Sequence, residues 1–376
     1  MKKILFVTGT RADFGKIKSL MSVIEQSSQF ELHVLITGMH MMKRYGSTYL
    51  EVKKENYTNT YFTSNQNENE PMSSVLGNTI TIITRLVNAI SPDLIVVHGD
   101  RLEALAGATV GALSHIRVCH IEGGELSGTI DDSIRHSVSK LSHIHMVANE
   151  EAKARLLQLG ENEKTIFIIG SPDLDVMNSQ KLPTLQDAKE HYGIDFEEYS
   201  VVMFHPVTSE EHEIKKYTQN LFKALEQSQK NYVVIYPNND TGSAKILNVI
   251  ADYEEHPNFK CYPSINFEHF LTLLKNAQFI IGNSSAGVRE APFYGLPSIN
   301  IGTRQNARFR GKTVIDCGYD TQAILSAIEC VNDVHTEKST WFGDGSSTEK
   351  FAEFVASKEF WDIPVQKVFV DINQGS

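Results

Sequence analysis

Short apolar runs alternate along this chain with longer segments whose apolar residues return every three or four positions. The runs at 4–8, 32–36, 94–98 and 117–121 lack polar alternation, which predicts strands buried on both faces. Phe14, Ile17, Leu20, Met21 and Ile24 fall on one helical face. Val75, Leu76, Ile80, Ile83, Leu86, Val87 and Ile90 fall on another, stopped by Pro92. A small-residue helix is expected around 102–113, its alanines and glycines permitting close approach to a sheet. A further helix near 132–141 and strands at 144–148 and 166–169 complete the first half. This βαβ order predicts a mostly parallel, doubly wound sheet.

The pattern then restarts. Gly170-Ser171-Pro172-Asp173 is a turn, and Lys181-Leu182-Pro183 is the expected crossing point. Strands are expected at 200–204, 231–236, 278–281 and 297–301. The reading is α/β with two similar domains, 1–172 and 173–349, and the main cleft between them. A tail from about 350 to 376, helical around Phe351, Phe354 and Val355, is expected to pack back on the first domain. A chain of 376 residues suits about two or three domains.

The formal net charge of −11 argues against broad adhesion to nucleic acid or anionic membrane. An anionic ligand then needs a local cradle of arginines and helix ends. Cys119, Cys261, Cys317 and Cys330 have no CxxC spacing, so neither a zinc ribbon nor a disulfide framework is expected. The first eight residues hold two lysines and only a short apolar run. That falls short of a signal peptide, and a cytoplasmic location is expected. No apolar stretch approaches the roughly 20 residues of a membrane helix.

Candidate chemistry sits at strand ends, which line the ligand crevice of a parallel sheet. Strand 94–98 runs into Gly99-Asp100-Arg101, and strand 117–121 into Glu122-Gly123-Gly124-Glu125, with Asp131 soon after. Asp100, Glu122 and Asp131 are candidate acid–base groups, because clustered carboxylates push each other's pKa values apart. The alternatives are an Asp100–Arg101 ion pair and helix capping by Asp131 or Asp132. Three such groups on one rim favour chemistry.

The turn Thr8-Gly9-Thr10-Arg11-Ala12-Asp13 is neither GxGxxG nor a P-loop. Arg11 either clamps a diphosphate bidentately or pairs with Asp13. Gly282-Asn-Ser-Ser-Ala-Gly-Val-Arg-Glu290 feeds a strand into a Gly/Ser turn, with a helix expected from Ser284 or Ser285. Its free N–H groups and serine hydroxyls suit a phosphate, and Glu290, one to two turns inside, suits sugar hydroxyls. Plain serine capping is the alternative. His205, at a strand end, is a candidate for touching phosphate or ribose. His98, His120, His136, His143 and His145 form no HExxH and read as half-buried structural groups rather than metal ligands.

Six motifs together carry a family resemblance over nearly the whole chain. They are Gly9-Thr-Arg-Ala-Asp13, His98-Gly-Asp-Arg101, His120-Ile-Glu-Gly-Gly-Glu-Leu-Ser-Gly-Thr-Ile-Asp-Asp-Ser-Ile-Arg-His136, Gly170-Ser-Pro172, Gly282-Asn-Ser-Ser285 and Gly302-Thr-Arg304. The chain resembles the hydrolysing UDP-N-acetylglucosamine 2-epimerases of sialic acid and other nonulosonic acid biosynthesis. The resemblance implies two Rossmann-like domains in a glycosyltransferase-B arrangement, with no metal or redox cofactor. It implies that Arg11, Arg101, His205, Asn238, Ser284, Ser285, Glu290 and Arg304 hold UDP, mainly on the second domain. Asp100, Glu122 and Asp131 serve catalysis on the first.

The implied reaction converts UDP-N-acetylglucosamine to N-acetylmannosamine and UDP through 2-acetamidoglucal. UDP-N,N′-diacetylbacillosamine, in legionaminic acid synthesis, is the alternative substrate. A glycosyltransferase on the same fold ranks lower, because no membrane-docking stretch occurs and carboxylates cluster. A non-catalytic nucleotide-sugar sensor would have no use for those three carboxylates. The expected partners are a small nucleotide sugar and further copies of the chain, as a homodimer or homotetramer, with neither nucleic acid nor membrane.

Overall fold

Strands that are apolar on both sides must be covered by helices on both sides, and the chain folds accordingly. The computed structural model describes residues 1–68, 70–127, 130–179, 182–238, 240–306, 311–334 and 337–371. Lys181 of the expected crossing, Gly128 and Thr129 of the long motif, and the last five residues of the tail lie outside that description.

The first sheet has seven strands: β1 (Lys2–Thr8), β2 (Phe30–Ile36), β3 (Asn59–Phe62), β4 (Leu94–His98), β5 (Arg117–Ile121), β6 (Ile144–Val147) and β7 (Ile166–Ile168). Their order is β3-β2-β1-β4-β5-β6-β7, and every pairing is parallel. The second sheet has β8 (Ser200–Met203), β9 (Tyr232–Ile235), β10 (Phe259–Tyr262), β11 (Ile280–Gly282), β12 (Ser298–Ile301) and β13 (Val314–Cys317). Its order is β10-β9-β8-β11-β12-β13, again all parallel. Each sheet reverses its winding once, between β1 and β4 and between β8 and β11. Ligands of doubly wound sheets bind outside such switch points.

Packing divides the chain into two units. One is Met1–Glu125, Asp131–Ser179 and Trp341–Ser376; the other is Leu126–Ile130 and Gln180–Thr340. In the first unit Ile4, Phe6, Val34 and Val96 meet Phe14, Ile17, Leu20 and Met21 on one face of the sheet. The helix Ser347–Ala356 enters the same core through Phe351 and Val355, both fully buried. Leu5, Val7, Ile95 and Val97 form the other face, against Ile83, Val87, Ala104 and Ala108. A Cβ at Gly111 would stand 2.2 Å from Val118 Cγ2, so the small residues of the helix Leu102–Leu113 answer to sheet contact. The second core gathers Val202, Val234, Ile281 and Ile299 with Leu221, Phe222, Ile250 and Ile328.

Behind the last helices the chain is laced to the first sheet. Arg117 donates to the carbonyls of Trp361 and Ile363 at 2.6 and 2.9 Å. His143 Nδ1 accepts from the Val118 N–H, so its Nε2 donates to the Val365 carbonyl. Lys367 binds the buried Glu161, which also meets Lys140 and His145. The flanking positive charges and hydrogen bonds outweigh burial and hold the Glu161 carboxyl near 2.

Candidate active site

The carboxylates at the ends of β4 and β5 are collected by one side chain. Arg135 projects from the helix Ile130–Leu141 and is 1% exposed. One guanidinium nitrogen binds Asp100; the other donates to the Glu122 carbonyl at 2.7 Å and to its carboxylate at 3.3 Å. Asp131 lies four residues earlier on that helix, on the same face, and is itself buried. Two of the three sequence-derived acid–base candidates, Asp100 and Glu122, thus meet on one cation, and the third shares that cation's helix. Asp100 pairs with Arg135, and Arg101 stands at the N-cap position of the helix Leu102–Leu113.

Glu122 has a left-handed backbone, with φ of 69°. That conformation costs a non-glycine residue on the order of 1 kcal/mol. It is held by the Arg135 contacts and by the Glu122 N–H donating to the Met146 carbonyl at 3.1 Å.

The motif residue His98 belongs to the same group. Its Nδ1 is 2.9 Å from Asp13 and its Nε2 is 2.8 Å from Glu122. Two carboxylates at ion-pair distance, one beside each ring nitrogen, favour the protonated ring. Burial pulls its pKa down, but the Glu122 charge and the hydrogen bonds to Asp13 and Glu122 overcome that and push it up to about 9. His98 is therefore buried and ion-paired rather than half-buried. Asp13 also accepts from the Gly9 N–H at 3.1 Å, and Thr10 caps its helix by accepting from the Asp13 N–H. The turn after β1 is therefore stapled to the end of β4. Arg11 pairs with Glu51, not with Asp13.

The neighbouring His120 is different. Its Nε2 meets the Gly99 carbonyl at 2.8 Å, an acceptor, so Nε2 carries the proton and Nδ1 accepts from Ser139 at 3.0 Å. Burial pushes its pKa down to about 3. It is a neutral strut, as His40 is between Thr8 and Thr48. Among the described residues no group of three or more His, Cys, Asp or Glu side chains is arranged to hold a metal ion.

In the second unit the sequence-derived ligand residues again stand at carboxyl ends of strands. His205 follows β8, Asn238 follows β9, Ser284 and Ser285 follow β11, and Arg304 follows β12. Asn283 ties these loops together. Its amide exchanges two hydrogen bonds with the His205 backbone, at 2.6 and 2.8 Å, and its carbonyl accepts from Arg304 and Gln305. His205 Nδ1 accepts from the Asn238 N–H at 3.0 Å. A Cβ at Gly282 would lie 2.0 Å from the Met203 carbonyl oxygen, and its φ is 136°, so only glycine lets β11 turn here. Thr303 donates to Glu210 at 2.6 Å, and Tyr319, stacked on Tyr217 with centroids 3.7 Å apart, donates to the other oxygen.

One expectation for this loop fails. No continuous helix runs from Ser284 through Glu290. Ser285–Gly287 is a single 3₁₀ turn capped by Ser284, and a separate helix, Glu290–Tyr294, starts at Glu290. Pro292 has no N–H to give residue 288 and fits only the first turn of a helix, so the helix cannot begin earlier. Glu290 is therefore a first-turn residue, 3% exposed, and the N–H groups near Ser284 belong to a tight turn rather than to a helix dipole.

Three residues that matter to this geometry were not among the sequence-derived site residues: His98, Arg135 and Asn283. For Arg135 a signal existed, its i,i+4 spacing from Asp131. His98 and Asn283 act on partners 85 and 78 positions away, which no local pattern announces.

Comparison with known proteins agrees with the motifs. A profile of the UDP-N-acetylglucosamine 2-epimerase family matches residues 22–356. The chain is similar to a UDP-N-acetylglucosamine 2-epimerase of Neisseria meningitidis serogroup B, 57% identical over 99% of this chain and all of that one. It is 35% identical to a UDP-N,N′-diacetylbacillosamine 2-epimerase (hydrolyzing) of Legionella pneumophila, over 93% and 94% of the two chains. A crystal structure of Methanocaldococcus jannaschii UDP-GlcNAc 2-epimerase superposes with a TM-score of 0.80 at 20% identity, over 94% of this chain and 99% of that one, a likeness of fold. On the profile and these identities, the chain belongs to the UDP-N-acetylglucosamine 2-epimerase family.

Proposed function

We propose that the protein is a hydrolysing 2-epimerase that converts UDP-N-acetylglucosamine and water to N-acetylmannosamine and UDP. The observation that carries this is the gathering of Asp100 and Glu122 on Arg135, with Asp131 one helical turn away. The identity of 57% to a UDP-N-acetylglucosamine 2-epimerase supports the substrate, and the hydrolysing name of the 35% relative supports the fate of the product.

The chemistry explains the demand for carboxylates. The C2 proton of the sugar is not beside a carbonyl, so direct removal is too costly. When the C1–O bond breaks and UDP leaves with the electron pair, C1 becomes oxocarbenium-like and the C2 proton turns acidic. A carboxylate takes it, and the C2–H pair becomes the C1=C2 bond of 2-acetamidoglucal. Water then adds its hydroxyl to C1 while a proton returns to the other face of C2. Positioned carboxylates supply the proton transfers. Cationic and N–H groups stabilise the departing diphosphate; the candidates are Arg11, Arg101, His205, Asn238, Ser284, Ser285 and Arg304, with Glu290 for ribose hydroxyls. We assign the acid–base work to the first unit and the UDP contacts chiefly to the second.

Turnover in deuterated water tests this. The expected products are free UDP and a 2-epimerised sugar carrying deuterium at C2. An unlabelled C2, a product still bearing UDP, or no turnover overturns the reading. UDP-N,N′-diacetylbacillosamine is run in parallel, because the Legionella relative acts on that sugar by name. A cytoplasmic homodimer or homotetramer is part of the proposal, checked by fractionation and native mass.

A further inference from the structure

The buried chain Asp13, His98, Glu122, Arg135, Asp100 places a cation on each oxygen of Glu122. His98 meets Oε2 at 2.8 Å and Arg135 meets Oε1 at 3.3 Å. We propose that His98 is a positioning residue of the epimerase reaction: clamped between Asp13 and Glu122, the imidazolium fixes the rotamer of Glu122 and keeps its carboxylate ionised in the resting enzyme. The inference rests on the proposed epimerase reading, in which Glu122 is an acid–base group.

Three observations support it. Each ring nitrogen lies at ion-pair distance from a carboxylate of a different element, Asp13 from the helix Arg11–Glu25 and Glu122 beyond β5, so the ring cannot rotate without breaking a buried ion pair. Other charged or titratable groups of this neighbourhood include Arg135, which binds Glu122 from the helix Ile130–Leu141 and holds Asp100 on its other side, and the neutral His120 on β5; neither cation nor neutral ring takes the place of a carboxylate at His98. Asp13 is itself fixed by the Gly9 N–H, which makes it a rigid counter-charge rather than a mobile one. A carboxylate with a cation on each oxygen resists protonation, and a buried ion pair of this kind defines geometry more than it adds stability. The pKa of about 9 for His98 means the clamp is closed at neutral pH.

The test combines kinetics with histidine NMR on the full chain, using UDP-N-acetylglucosamine as substrate. In wild-type protein labelled with nitrogen-15 at histidine, one imidazolium is expected to persist above about pH 8. Asp13→Asn should move its titration to lower pH, and His98→Gln should remove it. In His98→Gln, kcat should fall at least about tenfold with KM little changed. The acid limb of its pH–kcat profile should move up by about one unit, because Glu122 has lost one cation. A merely structural ring would lower activity without moving that limb. The proposal is overturned if no histidine stays doubly protonated above about pH 8, or if the acid limbs of wild type and His98→Gln coincide. The NMR arm needs no turnover. A wild-type protein that shows the imidazolium yet turns over no UDP-sugar overturns the epimerase reading and leaves the clamp standing.

Discussion

Two carboxylates depend on the single guanidinium of Arg135. Replacing it by methionine leaves Asp100 and Glu122 in a buried site without their shared cation, which is expected to cost about 3–5 kcal/mol. Urea denaturation should show this as a lower midpoint with an unchanged slope. Arg135→Lys keeps a charge but not a fork that reaches two acceptors, and should rescue stability only in part. Asp100→Asn addresses chemistry instead. The amide keeps the shape, so UDP binding by calorimetry should largely survive, while kcat is expected to fall about 10²–10⁴-fold; near-normal turnover would remove Asp100 from the acid–base set. Asp100 and Glu122 were legible because each ends an apolar run beside glycine. His98 was not, since a histidine on a strand looks the same whether its neighbour is a carbonyl, as for His120, or two carboxylates.

The central strands were legible because they are apolar throughout, whereas β3, β10 and β13 were passed over. Each of these lies at a sheet edge, where only one side pairs and half the surface meets water. Their sequences, Asn59–Phe62, Phe259–Tyr262 and Val314–Cys317, mix polar and apolar residues accordingly. The split of the expected helix after Gly282 was, by contrast, written in Pro292. The helix Ser347–Ala356 makes the sharpest prediction about an element. Phe351 packs on Phe6 of the central strand β1, ring centroids 6.3 Å apart. Phe351→Ala should destabilise the first unit by about 3–5 kcal/mol, read as a drop in Tm, whereas an alanine at the exposed Trp341 should change it little.

Across the molecule, buried histidines set opposite pH dependences. The folded pKa of His98 is raised from 6.5 to about 9. Its pH-dependent contribution is therefore complete below pH 6.5 and lost as pH rises through about 9. His40 and His120 are lowered to about 4 and 3, so theirs is complete above pH 6.5 and lost as pH falls through those values. Denaturation midpoints measured from pH 4 to 10 should pass through a maximum near neutrality, and His98→Gln should flatten the alkaline side. The same connectivity has a consequence for birth on the ribosome. Proteins fold domain by domain as they emerge, and the second unit is nearly contiguous in sequence. The first needs Phe351, Val355 and the lacing to Trp361, Ile363 and Val365 before its core and edge are whole. The half of the protein synthesised first is thus the half completed last, its sheet left short of one helix until the second unit and the segment through Val365 have been made.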